Sequence, residues 1–229
     1  MDTAAIFDLN GTVVDDMPVH AELWRALGLS LGRDVPASVF LVELAGANDT
    51  VVLTRILGRP PTPEELVELP ASKERAYHET YRHRVAEVPG CLALLRELRD
   101  AGVPLALATL APAPNRALVL DALQLHGTFD RIVGAEHVTR GKPAPDIFLA
   151  AAAGLGVAPE RCVVFEDALN GIRAARAANM YAVGVTTAVD GPALVEAGAH
   201  EVMADFRALP APLRARLGLA VRIHPADRT

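Results

Sequence analysis

Apolar runs rich in Val, Ile and Leu recur at residues 4–8, 103–109, 131–134, 162–166 and 181–186. Short continuous runs of this kind are the pattern of strands buried in a parallel sheet. A last strand is expected at Glu201 to Ala204. Between the runs the apolar spacing becomes helical. It does so at Leu92, Leu95 and Leu98 in a stretch ending at Asp100 and Gly102, at Leu118, Leu120 and Leu123, from Ile147 to Gly154, and from Ile172 to Asn179. Strand and helix alternate, which predicts an α/β fold with a doubly wound, Rossmann-like parallel sheet as its core.

Residues 16–86 break that alternation and read as helices alone. The pattern predicts Val19 to Leu29, Ala37 to Leu44, Asp49 to Leu57 and Pro63 to Ala86, separated by Gly28, Gly46, Gly58 and the Pro60 to Pro63 cluster. The segment is therefore expected to be an inserted α-helical cap domain. It would divide the catalytic core into residues 1–15 and 87–229, with Val88, Pro89 and Gly90 marking the return. From Pro210 onward, with Arg214, Arg216 and Arg222, a short surface helix and a frayed end are expected.

Composition narrows the function classes. The apolar fraction of 51% suits a folded globule with an aliphatic core, since aromatics are scarce. The net charge of −6, with no basic stripe, argues against a nucleic-acid partner. Cys91 and Cys162 stand alone, which predicts buried, inert thiols and neither a disulfide framework nor a CxxC metal site. No apolar run approaches membrane-spanning length, and Asp2 and Asp8 flank a short apolar start where a secretory signal would be basic. The expectation is a cytoplasmic protein without a membrane partner, monomeric or weakly dimeric.

The candidate chemistry begins where the first strand ends. Phe7, Asp8, Leu9, Asn10, Gly11 and Thr12 place a carboxylate at the point where a buried strand turns toward solvent. The strand would hold Asp8 rigidly, Gly11 would let backbone approach a ligand, and Thr12 would offer a hydroxyl and an amide to bound oxygens. Asp8, Thr109, Lys142 and Asp167 each fall at or just beyond the C-terminal end of an expected strand. In an open parallel sheet those ends line one crevice. The set suits phosphoryl transfer, which needs a nucleophile, a cation against developing charge, and donors for the equatorial oxygens.

The segment FDLNGTVVD resembles the first motif of the haloacid dehalogenase superfamily, whose phosphatases usually read DxDGT. GKPAPDIFLAAA and VVFEDALNGIRAA resemble the third and fourth motifs. The nearest likeness is to β-phosphoglucomutase-like enzymes and sugar phosphatases. The resemblance implies that Asp8 attacks phosphorus and forms an aspartyl-phosphate. It implies a Mg²⁺ held by Asp8, the backbone carbonyl of Asn10 and Asp167, with Glu166 helping directly or through water. Lys142 would sit on the phosphate and on Asp8, and Thr109 and the Leu110 amide would bind phosphate oxygens. The cap residue His20 and the loop around Gly46 and Asn48 would face the substrate, a small phosphate ester, while Trp24 would pack in the cap core.

The chain departs from this pattern in three places. After Thr109 it runs Leu110, Ala111, Pro112, Ala113, Pro114, Asn115, which removes hydroxyls and two amide donors. The arginine with which the mutases hold a second phosphate is missing from the cap loop, which favours a phosphatase over a mutase. Asn10 stands where a second aspartate would act as general acid and base, and an amide cannot carry protons. Three accounts of Asn10 fit: a substitution that traps a complex, an adaptation with the proton carried elsewhere, for instance by His20, and lost catalysis. Such a chain would be a phosphatase, a phosphosugar mutase or a phosphometabolite-binding module. Because Gly11 follows it, Asn10 is also prone to deamidate.

Overall fold

The computed structural model describes residues 3–220. Six parallel strands form one sheet in the order β3-β2-β1-β4-β5-β6. They are β1 (Ala4–Phe7), β2 (Leu105–Ala108), β3 (Arg131–Val133), β4 (Cys162–Glu166), β5 (Tyr181–Val185) and β6 (Glu201–Met203). β1 lies at the centre, Phe7 opposite Leu107 on one side and Phe165 on the other. The chain runs outward from β1 in both directions, so the crevice at the C-terminal ends beside β1 is the switch point of the sheet.

Alternation along the strands builds two layers. Ala5, Phe7, Leu105, Leu107, Val163 and Phe165 face one way and pack with α5 (Cys91–Asp100) and α10 (Ala211–Arg216). The Phe7 and Phe165 rings stack there at 4.6 Å. Ala4, Ile6, Ala106, Ala108, Cys162 and Val164 face the other way, toward α7 (Asp146–Leu155) and α8 (Leu169–Ala177). α6 (Ala113–Ala122) and α9 (Gly191–Glu196) complete the layers. The apolar pattern did not announce α9, which Asp190 starts by accepting the Ala193 N–H at 3.0 Å. Both cysteines are buried, and burial pushes the thiols up, Cys162 to about 11.

The segment after β1 is helical throughout: α1 (Met17–Ser30), α2 (Ala37–Val39) running into a π-helical turn Phe40–Leu44, α3 (Asp49–Leu57) and α4 (Pro63–Tyr81). It has an apolar cluster of its own, including Trp24, Phe40, Leu44, Val52, Leu53 and Ile56. Among the described residues no helix is long and apolar enough to cross a membrane.

Three expectations change. Gly28 does not separate helices but lies inside α1, where its bare Cα lets the Arg33 carbonyl pass; a Cβ would lie 2.9 Å from that oxygen. α4 stops at Tyr81, five residues early, because the chain leaves the helix to pair Glu87 with Val14, with the Asp15 N–H on the Ala86 carbonyl. Arg214 is not a surface arginine. It is buried, donates to the Ala220 carbonyl at 2.7 Å and grips Glu97, because α10 and the residue that ends it insert Leu213 and Leu217 into the core. The expected frayed end, with Arg222, lies outside the described residues.

Candidate active site

Asp8 leaves β1 with its N–H on the Phe165 carbonyl at 3.0 Å, so the strand pairing fixes the residue. The chain then folds back on itself, the amides of Thr12, Val13 and Val14 all turning to the Leu9 carbonyl. Gly11, at φ +71°, makes this turn, and a Cβ there would lie 2.0 Å from Asp167 Oδ2. The close approach that demands glycine is thus that of a carboxylate of the protein itself. Neither Gly11 nor Thr12 lines the cavity; Thr12 is fully buried and its hydroxyl has no hydrogen-bond partner.

Lys142, in the connection between β3 and α7, reaches back to the switch point. Its buried ammonium donates to Asp8 Oδ1 at 2.6 Å and to Glu166 Oε1. Burial alone would lower its pKa, but the two carboxylates beside it push it above the ordinary lysine value. Glu166 spends its other oxygen on the Ala168 N–H at 2.8 Å, under Gly171, where a Cβ would lie 1.9 Å from Oε1. Both of its oxygens are therefore engaged, and it anchors Lys142.

Carboxylate oxygens of Asp8, Glu166 and Asp167 come within 4.8 Å of one another. Burial pushes the Asp8 carboxyl up to about 7, with Lys142 drawing it down and Glu166 raising it again. Asp167 is pushed well above the usual range by burial and by Glu166 and Asp8. Asp167 Oδ2 is buried and has no hydrogen-bond partner. An orphaned, desolvated oxygen among crowded carboxylates fits a hard cation that takes oxygen ligands.

The cavity above this cluster measures about 130 Å³. The sheet side supplies Asp8, Asn10, Thr109, Leu110, Lys142, Glu166 and Asp167; the helical insertion supplies His20, Trp24, Phe40, Gly46 and Lys73 among others. Asn48 does not line it, because its side chain accepts the Val51 N–H at 3.0 Å and caps α3. The backbone N–H of Thr109 extends the β2–β3 ladder to the Val133 carbonyl, and its hydroxyl oxygen accepts the Ala111 N–H at 3.1 Å.

Asn10 is locked from behind. Its Nδ2 donates to Asp16 Oδ2 at 2.6 Å, and the buried Tyr77 hydroxyl donates to the same oxygen at 2.6 Å. His20 Nε2 stands 3.1 Å from Asn10 Nδ2 and 3.3 Å from Asp16 Oδ2. Its Nδ1 meets the Lys73 ammonium at 2.5 Å, and its ring stacks on Tyr77 at 4.3 Å. An ammonium can only donate, so Nδ1 is the accepting nitrogen and the ring hydrogen sits on Nε2, facing Asp16. Lys73 also pairs with Glu74 at 2.8 Å, which in turn accepts from Asn115 at 2.5 Å. Asp16, Lys73, Glu74, Tyr77 and Asn115 formed no sequence motif; only the charged and amide residues on otherwise apolar faces hinted at them.

The chain matches the family model described as haloacid dehalogenase-like hydrolase over residues 3–179. It is 33% identical over 210 residues to the phosphorylated carbohydrates phosphatase of Thermotoga maritima, covering 86% of this chain and 91% of that protein. Against the fructose-1-phosphate phosphatase YqaB of Escherichia coli it is 36% identical over 182 residues, 79% of this chain and 94% of the other. Its structure superposes on β-phosphoglucomutase from Clostridium difficile with a TM-score of 0.81 and 29% identity, covering 95% and 98% of the two chains.

Proposed function

The chain belongs to the haloacid dehalogenase-like hydrolases, and within that family we propose that it is a Mg²⁺-dependent phosphatase of a small phosphorylated metabolite, a sugar phosphate in class. The observation that carries this reading is Asp8 at the switch point, tied to a buried lysine at 2.6 Å and facing an orphaned Asp167 oxygen. Residues 16–86 act as a cap over residues 1–15 and 87–229, in a cytoplasmic setting.

An Asp8 oxygen attacks phosphorus while the bond to the leaving oxygen breaks, its electron pair going with that oxygen, which takes its proton from water. Water then attacks phosphorus, the bond to Asp8 breaks, and the carboxylate and inorganic phosphate result. Lys142 holds Asp8 in line and balances its charge between the two steps. Thr109 and the Leu110 amide take the equatorial oxygens. Asp8, Asp167 and the Asn10 carbonyl would hold the cation, with Glu166 alongside; bound there, it would neutralise charge on the transferring group. Asn10 has no proton to give the leaving oxygen, so turnover is slow with poor leaving groups and the phosphoenzyme persists.

A phosphatase is favoured over a mutase by the far end of the cavity. No arginine is among its described lining residues, and its lysine, Lys73, is already engaged by Glu74 and His20. A second phosphate has no free cation there. The test is phosphate release with Mg²⁺ from sugar phosphates and p-nitrophenyl phosphate, beside isomerisation of β-glucose 1-phosphate. Release abolished by Asp8→Asn supports the phosphatase; isomerisation without release would establish the mutase, and ligand binding with neither would establish a binding module.

A further inference from the structure

Arg116, on the first turn of α6, is 7% exposed and does not line the cavity. Its Nη1 donates to the Ala111 carbonyl at 2.7 Å, and the guanidinium grips Glu136 with both nitrogens, Nη1 to Oε2 at 3.1 Å. The fork fits beneath Gly134, where a Cβ would lie 2.3 Å from Nη1. Against the effect of burial, hydrogen bonds from Arg116 hold the Glu136 carboxyl below its ordinary value.

The loop that Arg116 grips is the one that lost its hydroxyls. Because Pro112 has no N–H, the Ala111–Pro112 peptide offers only a carbonyl oxygen, and a carbonyl facing a phosphate dianion repels it. Arg116 takes that oxygen on the side away from the cavity. The Ala111 N–H is then left on Thr109 Oγ1, which leaves the Thr109 hydroxyl hydrogen free to donate to a phosphate oxygen.

We infer that Arg116 is a positioning residue for phosphate recognition: it turns the Ala111 carbonyl away from the anion and, through the Ala111 N–H, aims the Thr109 hydroxyl at it. The inference rests on the phosphatase reading, in that the Thr109 loop is taken as the phosphate cradle.

The test is a double-mutant cycle read by calorimetric binding of inorganic phosphate with Mg²⁺, which needs no turnover. Arg116→Met is expected to raise the Kd for phosphate about tenfold, the size of one lost charge-assisted contact. In the Thr109→Val background the same change is expected to raise it less, about threefold, since the group it aims is gone and only the freed Ala111 carbonyl still opposes the anion. A merely structural arginine would weaken binding equally in both backgrounds, and that result, or no change in either, would overturn the inference. Arg116→Lys, which keeps a donor, is expected to recover part of the affinity. If Arg116→Met does not fold, Glu136→Gln in the same cycle decides, since it loosens the fork without emptying its space. A parent chain that binds phosphate but releases none from esters would defeat the phosphatase reading while leaving this cycle readable.

Discussion

Replacing Asn10 by aspartate tests both the missing proton carrier and the network behind it. In the structure Asn10 Nδ2 lies 2.6 Å from Asp16 Oδ2, an oxygen on a side chain with 0% exposure that also accepts from Tyr77. In the variant a carboxylate oxygen takes the place of that nitrogen. Two unit charges about 3 Å apart interact by about 5 kcal/mol at an effective dielectric of ~20. They do not both ionise near neutrality, so the pair retains one proton and titrates as a unit. Passed to the leaving oxygen, that shared proton would act as a general acid, typically worth about 10² to 10⁴ in rate. Asn10→Asp is therefore expected to raise kcat for sugar phosphates at least about 10²-fold near pH 7, with Mg²⁺ affinity little changed if, as proposed, the cation takes the main-chain carbonyl of residue 10. Adding Asp16→Asn removes the second charge and should move the high-pH limb of the rate profile to lower pH. The assay is steady-state phosphate release from pH 5 to 9, after mass spectrometry of the loop peptide has excluded deamidated Asn10. An Asn10→Asp rate equal to the parent's, or a pH profile unmoved by Asp16→Asn, would refute the reasoning.

Other perturbations separate the remaining roles. Lys142→Met leaves Asp8 and Glu166 buried without their cation; the expected cost is about 3 to 5 kcal/mol in urea unfolding, with turnover lost. In EDTA, the Asp8 carboxyl raised to about 7 makes the folded state bind more protons than the unfolded one. Stability should accordingly fall as pH rises from about 4 through 7, and Mg²⁺ should raise Tm more at pH 8 than at pH 5. A Mg²⁺ effect independent of pH would contradict that linkage. Asp167→Asn removes a buried carboxyl whose Oδ2 has no partner and whose ionisation burial opposes. The variant is expected to melt higher than the parent in EDTA and to lose the Mg²⁺-induced rise, and thermal scans with and without metal check both halves.

Much of the fold was legible because its signals are local. Buried strands announce themselves as short apolar runs, and the two-residue period puts Ile6 and Phe7 on opposite sides of the sheet. Asp8, Thr109 and Asp167 were legible for a related reason: in a parallel sheet every strand ends on the same side, so residues at strand ends converge wherever they fall in sequence, whereas Lys142 lies well past the end of β3 and returns through the β3–α7 connection. Errors arose where a local signal met a distant partner. Gly28 looked like a helix break and was a packing contact for the Arg33 carbonyl; Arg214 looked exposed and was drawn inside with Glu97.

The amino-acid sequence by itself therefore determined the alternating architecture and the placing of Asp8, Lys142 and Asp167 in one crevice, because each is written in a few adjacent residues. Tertiary structure alone decided what surrounds them. It set Asp16 and Tyr77 behind Asn10, brought Lys73 of α4 onto His20 of α1, turned Glu166 onto Lys142, and hooked Arg116 onto the Ala111 carbonyl of the loop after Thr109. Those pairings join residues that no spacing rule relates, and their strength comes from burial that exists only once the chain has folded.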